Sequence, residues 1–276
     1  MSDPDTVPLR TTDGVSLVAA YWPGADRRIG CVVGHGFTGS SRNPHVVRIC
    51  HGFVNRGVGV LAVDFRGHGR SGGFGTAGAD EIHDVAAAVA WLRGQGYEFV
   101  ATLGWSMGGT AVLRHAGLGG DADAVVSVSA PGMWFERGTR PMRLVHWMFE
   151  KRTGRAATRV LRRTRVSPLG WQTMPEAPAE VAGAIAPRPL LLVHGDADRY
   201  FPRRHVDAIA AAAPSADVWV EPSMGHAEVA TSARLVERIA DWVLAAARPG
   251  AAACDRPSTA VCDRPSTAVC DHDGRD

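Results

Sequence analysis

The chain predicts an α/β fold: a mostly parallel central sheet with helices on both faces, interrupted by one helical insertion. Short unbroken apolar runs alternate with segments of helical periodicity, and Gly or Asp turn signals separate them. Runs of that kind are what parallel strands covered on both sides look like, because neither face meets water. One long stretch, 131–186, breaks the rhythm.

Taken in order, residues 15–22 read as a strand entered by the turn signal Asp13-Gly14. Residues 29–33 form an apolar run ending at Gly34-His35-Gly36, and 58–63 form another ending at Asp64. Between them, 45–56 has helical spacing through Val46, Ile49, Cys50 and Phe53 and stops at Gly57. A clearer helix spans 80–93, with acids in its first turns, apolar Ile82, Val85, Val89 and Leu92, and a stop at Gly94. A strand at 99–103, a helix at 109–115 and a strand at 124–129 continue the alternation. It resumes with strands at 189–194 and 217–221, the helix 205–213 between them, and an amphipathic helix at 233–247.

The predicted organisation is a core of 1–130 and 187–248, a lid or cap insertion of 131–186, and a tail from 249. Residues 131–170 carry nine Arg and one Lys against Glu136 and Glu150, a local balance of +8 in a chain whose net charge is +2. The tail repeats Cys-Asp-Arg-Pro-Ser-Thr-Ala-Val at 254–261 and 262–269. Units so short, each with a proline, cannot bury a core and predict disorder.

With 45% hydrophobic and 21% charged residues, the composition is that of an ordinary globular protein, and the small net charge argues against a nucleic-acid partner. Residues 1–10 are acidic and polar and lack the basic and apolar regions of a signal peptide, so the cytosol is the default expectation. No apolar segment reaches the length of a membrane span. Cys31 and Cys50 fall in a strand and a helix, and the other three cysteines in the tail, which predicts free buried thiols rather than a disulfide framework.

The chemistry centres on Gly104-Trp105-Ser106-Met107-Gly108, between an apolar strand and a helix-prone segment. A serine on such a sharp turn is held in a strained conformation, and only small flanks fit around it. With 14 Ser and 32 Gly in 276 residues, about 0.2 chance matches to this pattern are expected, so its context must carry the inference. A serine hydroxyl becomes a useful nucleophile when a histidine takes its proton and a carboxylate orients that histidine. After Ser106 come Asp196 and Asp198, beyond one strand, and His226, beyond the last. We expect His226 as the base. Asp198 is favoured over Asp196 because it lies farther along a loop that can turn back toward His226, whereas Asp196 is placed to brace the loop. His194 and His205 are expected as packing or surface residues.

Charge developing on a carbonyl oxygen needs preorganised donors. The backbone N–H of Met107, at the helix start, and that of Phe37, in the glycine-bracketed His35-Gly36-Phe37-Thr38-Gly39 loop, are the candidates for an oxyanion hole. Trp134, Phe135, Trp147 and Phe149 of the insertion are candidates to line an apolar acyl site.

These segments, with Asp64-Phe65-Arg66-Gly67-His68-Gly69-Arg70-Ser71, His194-Gly195-Asp196-Ala197-Asp198 and Gly225-His226, resemble the α/β-hydrolase fold superfamily in its esterase, lipase and thioesterase branch, over most of residues 9–247. The resemblance implies the α/β-hydrolase fold, the second Asp of the His-Gly-x-x-Asp loop as triad acid, and the residue after His-Gly as the second oxyanion donor. A Ser at the elbow argues against the dehalogenase and epoxide-hydrolase members, which place Asp there. Trp105 departs from the commonest form, which has His, and should pack beneath the elbow. The Asp64–Ser71 segment, Asp64 and His68 included, reads as a structural loop.

The expected activity is therefore hydrolysis of a carboxylic ester through an acyl-enzyme, with a small-molecule acyl ester as substrate and no metal or organic cofactor required. Acyl transfer, thioester or peptide hydrolysis by the same groups is the enzymatic alternative. A non-catalytic ligand-binding protein on the same fold is the alternative of another class. The arginines of the insertion read as a solvated face, a weak contact with an anionic surface, or a clamp for an acidic substrate.

Overall fold

In the computed structural model, residues 3–248 are described, and the predicted tail at 249–276 lies outside them. Eight strands form one sheet: β1 (Asp5–Arg10), β2 (Ser16–Trp22), β3 (Ile29–Gly34), β4 (Gly59–Asp64), β5 (Phe99–Trp105), β6 (Ala124–Val128), β7 (Leu190–Gly195) and β8 (Asp217–Glu221). Their spatial order is β1-β2-β4-β3-β5-β6-β7-β8. The β1–β2 and β2–β4 pairs are antiparallel and the rest parallel.

The apolar runs become two buried layers because successive side chains of a strand point to opposite faces. On β3, Cys31 and Val33 face one side and Val32 the other. The first side is covered by α1 (Pro44–Val54) and α9 (Ala233–Ala246), through Ile49, Phe53, Val236 and Ile239. The other is covered by α2 (Glu81–Gly94), α3 (Met107–Gly117) and α7 (Arg204–Ala212), through Val85, Leu92, Val112 and Ile209. Helix ends are set locally: Asn43 accepts the His45 N–H ahead of Pro44 at the start of α1, and Ser232 accepts the Leu235 N–H at the start of α9. Cys31 and Cys50 are free and buried.

One strand was absent from the sequence reading. Residues 1–10 read as acidic and polar with no strand assigned, yet 5–10 form β1, an edge strand with only Val7 and Leu9 turned inward and Pro8 tolerated at the sheet margin. Two inward residues are too weak a pattern to read without the partner strand. Asp13-Gly14, read as the entry to a strand, lies in the turn joining β1 to β2.

Between β6 and β7 the chain forms α4 (Arg140–Glu150), α5 (Arg152–Arg162), the short α6 (Pro178–Val181) and a 3-10 turn (Ala182–Ile185). The helices α4 and α5 pack on each other, and α4 buries none of its residues. By contrast Val181, Ala182 and Ile185 are buried, and this last part of the segment packs against α3 and α7.

Strand order reverses at β3: β4 lies on one side of it and β5 on the other. Loops leaving the carboxyl ends of β3 and β5 therefore diverge and leave a crevice between them. Gly34 and Gly104 are paired in register at that end, so the loop after β3 and the turn carrying Ser106 are neighbours.

Candidate active site

Ser106 stands alone between β5 and α3 with φ 52° and ψ −114°, a strained conformation for a residue with a side chain. Its surroundings hold it there. The Ser106 N–H donates to Val128 O at 2.8 Å, and its carbonyl accepts from the Thr110 N–H at 3.0 Å. A Cβ on Gly104 would collide with the Gly108 carbonyl, and one on Gly108 with the Gly34 carbonyl, so both flanking glycines are required by close approach. Trp105 packs beneath the turn, fully buried, and its indole N–H donates to Thr231 Oγ1 at 3.0 Å.

His226 follows β8, and its Nε2 lies 2.9 Å from Ser106 Oγ. On the other edge of the ring, Nδ1 lies 2.8 Å from Asp198 Oδ2. With Asp198 as acceptor, the imidazole carries its proton on Nδ1, leaving Nε2 to accept from the serine hydroxyl. The Asp198 side chain is buried and fully partnered, since its other oxygen accepts the N–H groups of Tyr200 at 2.7 Å and Phe201 at 3.1 Å. The Tyr200 ring stacks on the imidazole, centroids 4.2 Å apart and planes 20° from parallel, and Phe201 meets its edge at 5.4 Å. Asp196 does something else: it accepts the Ser223 N–H at 2.6 Å at an exposed position and ties two loops together.

The loop after β3 turns tightly, with Gly39 N–H donating to Gly36 O at 2.9 Å and Thr38 at φ 64°. His35 is buried beneath it. Its Nε2 accepts the Phe65 N–H at 3.2 Å, so its Nδ1–H donates to Gly36 O at 2.8 Å. Burial, with His68 beside it, pushes the His35 imidazole down to about 3 and keeps it neutral, as both bonds require. The carbonyl of the Gly36–Phe37 peptide is thus fixed from two directions, and the Phe37 N–H at its other end is directed away from them.

The serine opens into a cleft of about 1190 Å³. Phe37, Met107, Trp134, Phe135, Trp147 and Phe149 all line it, so the candidate oxyanion residues and the four candidate acyl-site aromatics meet the same space as Ser106 and His226. Phe149 of α4 packs on Phe37, centroids 4.5 Å apart. Trp134 is tied by its indole N–H to Pro175 O at 2.6 Å, whereas Phe135 and Trp147 are exposed.

The remaining polar residues named from sequence serve the frame. Asp64 accepts the N–H groups of Ser41 at 2.6 Å and Arg70 at 3.0 Å. His68 donates to Arg66 O at 2.9 Å. His194 and His205 are both buried. The first donates to Phe201 O at 3.1 Å, and the second lies 3.0 Å from Glu136 while accepting the Gly132 N–H.

Three residues that shape the site escaped the sequence reading, and His35 was named there only as part of its loop. Tyr200 stacks on the His226 ring, His35 pins the β3 loop, and Ser129 Oγ accepts the Ala227 N–H at 3.2 Å, fixing the turn that presents His226. Glu228, on α8 (Ala227–Ala230), turns its carboxylate into the cleft wall and accepts the Gly36 N–H in a short hydrogen bond. Glu228 had a sequence signal, an acid two residues beyond the expected base, and His35 stood at the head of the glycine-bracketed loop. The others depend on which loops meet in space.

No helix among the described residues is long and apolar enough to cross a membrane. No curated protein matches the chain. Among solved structures the fold is similar to the esterase Pf2001 of Pyrococcus furiosus (22% identity, TM-score 0.70, covering 88% of this chain and 90% of that one). It is also similar to XC6422 of Xanthomonas campestris, described as a serine hydrolase without a lid (17%, TM-score 0.58, 89% and 94%). A third is Est1E of Butyrivibrio proteoclasticus, solved with ferulic acid bound (20%, TM-score 0.55, 85% and 95%). Residues 31–242 match the alpha/beta hydrolase family, and the chain belongs to it.

Proposed function

We propose that the protein is a serine hydrolase that cleaves a carboxylic ester in two steps through an acyl-enzyme. The observation that carries this is the continuous hydrogen-bonded line from Ser106 Oγ through His226 to Asp198, at 2.9 and 2.8 Å. In the first step Ser106 Oγ attacks the ester carbonyl while its proton passes to His226 Nε2, and the imidazolium then returns that proton to the departing alkoxide. Water enters by the same route and releases the acid. Asp198 holds the imidazole in the needed tautomer and stabilises its charged form. The N–H groups of Phe37 and Met107 stabilise the tetrahedral oxyanion.

The apolar cleft beside the serine supports an acyl group of appreciable size, with Trp134, Phe135, Trp147 and Phe149 as its lining and α4 and α5 as a lid. The wet outer side is basic. Arg70, Arg159, Arg163 and Arg165 line a second hollow of about 360 Å³, which supports the weak contact with an anionic surface expected of the arginine-rich insertion.

A fluorophosphonate probe tests the reading. The folded protein is expected to be labelled on Ser106, with esterase activity lost in step. Absence of labelling on the folded protein would overturn the assignment and favour a non-catalytic binding role.

A further inference from the structure

Glu228 has no part in the chemistry described above, yet its carboxylate lies against a glycine of the β3 loop, Gly36. Gly36 precedes the proposed oxyanion donor Phe37, and a glycine can rotate about φ and ψ at little cost. The peptide after it is pinned through its carbonyl by His35 Nδ1 at 2.8 Å and by the Gly39 N–H at 2.9 Å. The peptide before it is pinned at its N–H, and the acceptor there is Glu228. With the planes on both sides held, Gly36 has no rotation left and the aim of the Phe37 N–H is set. The space confirms how close the parts are: a Cβ built on Gly36 would lie 3.3 Å from both Glu228 oxygens and 3.4 Å from Ser106 Cβ.

The backbone bearing Glu228 is itself anchored. An Arg48 guanidinium nitrogen donates to Glu228 O at 3.2 Å and Thr231 O at 2.6 Å, and Ser129 Oγ receives the Ala227 N–H. The short helix α8 thus places the base at one end and this carboxylate two residues on. An exposed acid would be free to satisfy itself in water. Here it is half-buried and reaches 192 residues back along the chain to the β3 loop.

We propose that Glu228 is a positioning residue for ester cleavage, acting through the Gly36 N–H to hold the Phe37 N–H on the developing oxyanion. The proposal rests on the serine-hydrolase reading. Because the stabilised charge appears only as the carbonyl becomes tetrahedral, losing this alignment lowers kcat and leaves KM in place. A negative carboxylate so near the oxyanion would oppose it, and burial raises the Glu228 carboxyl above the ordinary carboxylate range. The Gly36 N–H, His226 and His45 face it and pull the other way. Glutamine, which keeps the acceptor oxygen and the shape without charge, is therefore the conservative replacement.

The experiment compares Glu228→Gln and Glu228→Met in the full chain, reading kcat and KM on p-nitrophenyl acetate, the second-order rate of fluorophosphonate labelling, and Tm. Glu228→Met is expected to lose about 10–100-fold in kcat and labelling rate, the range for an impaired oxyanion donor or somewhat less, with KM within about 2-fold and Tm near wild type. Glu228→Gln should stay within about 3-fold of wild type throughout. Should the methionine variant fail to fold, Glu228→Asp, too short to reach the Gly36 N–H, is expected to show the same kcat loss. Wild-type kcat in the variants that cannot bond Gly36, a loss confined to KM, or a glutamine variant as impaired as the methionine one overturns the proposal. Wild-type protein that neither labels nor turns over esters overturns the underlying hydrolase reading instead, so the two failures are told apart.

Discussion

The indole N–H of Trp105 donates to Thr231 Oγ1 at 3.0 Å, joining the residue before Ser106 to the helical turn that follows His226. Thr231 passes the constraint on by donating to Ala227 O at 2.9 Å, next to His226. Two segments 126 residues apart in sequence are thereby locked together under the site. The bond is buried, so neither partner has water as an alternative.

Trp105→Phe is expected to destabilise the protein by about 1–3 kcal/mol, the combined effect of a lost buried hydrogen bond and a partly filled cavity. Urea denaturation followed by circular dichroism measures it. A stability equal to wild type would show that the indole is a spectator.

Ser106→Ala should reduce turnover of p-nitrophenyl esters by at least about 10³-fold, since the nucleophile is removed and only binding and the oxyanion donors remain. Its melting temperature should match or exceed that of wild type. Retained turnover would mean that another group performs the attack.

Asp198→Asn and Asp196→Asn separate the two acids of one loop. The first should cost about 10⁴-fold in kcat by favouring the wrong imidazole tautomer. The second keeps an amide oxygen that can still accept the Ser223 N–H at an exposed position, and activity should change by less than about 3-fold. The opposite ranking would transfer the role to Asp196.

Phe149→Ala opens the cleft where Phe149 packs on Phe37. Loss of one aromatic wall should raise KM for p-nitrophenyl butyrate by about 5–10-fold, equivalent to roughly 1–1.4 kcal/mol of binding. An unchanged KM across an acyl-chain series would place the acyl group elsewhere in the cleft.

Stability below pH 5 should depend on Asp13. The Arg66 guanidinium, which it binds through two hydrogen bonds at 2.7 and 3.1 Å, pulls its carboxyl down to about 2. The unfolded chain takes up that proton near pH 4 and the folded one only near pH 2, so the stabilisation is complete above the higher value and fades as pH falls through the lower one. Asp13→Asn should flatten the fall in Tm between about pH 5 and 2. A variant with the same slope as wild type would show that the pair contributes nothing.

Local pattern and composition by themselves determined the βα order of the chain, because apolar runs and helical stripes report burial residue by residue. They also determined which residues could form a serine–histidine–carboxylate set, because turn glycines and strand ends mark where reactive groups emerge. The strand β1 escaped because two inward residues, Val7 and Leu9, take their meaning only from pairing with β2. Loop position already favoured Asp198 over Asp196 as the partner of His226, and the structure brings them together, but tertiary structure alone decided that Tyr200 stacks on the His226 ring and that Glu228 reaches Gly36. Each of these depends on where the ends of separate strands converge in space, and a one-dimensional pattern holds no such distance. Periodicity measures how a residue faces the core. Catalytic geometry is set by which loops the sheet order makes neighbours.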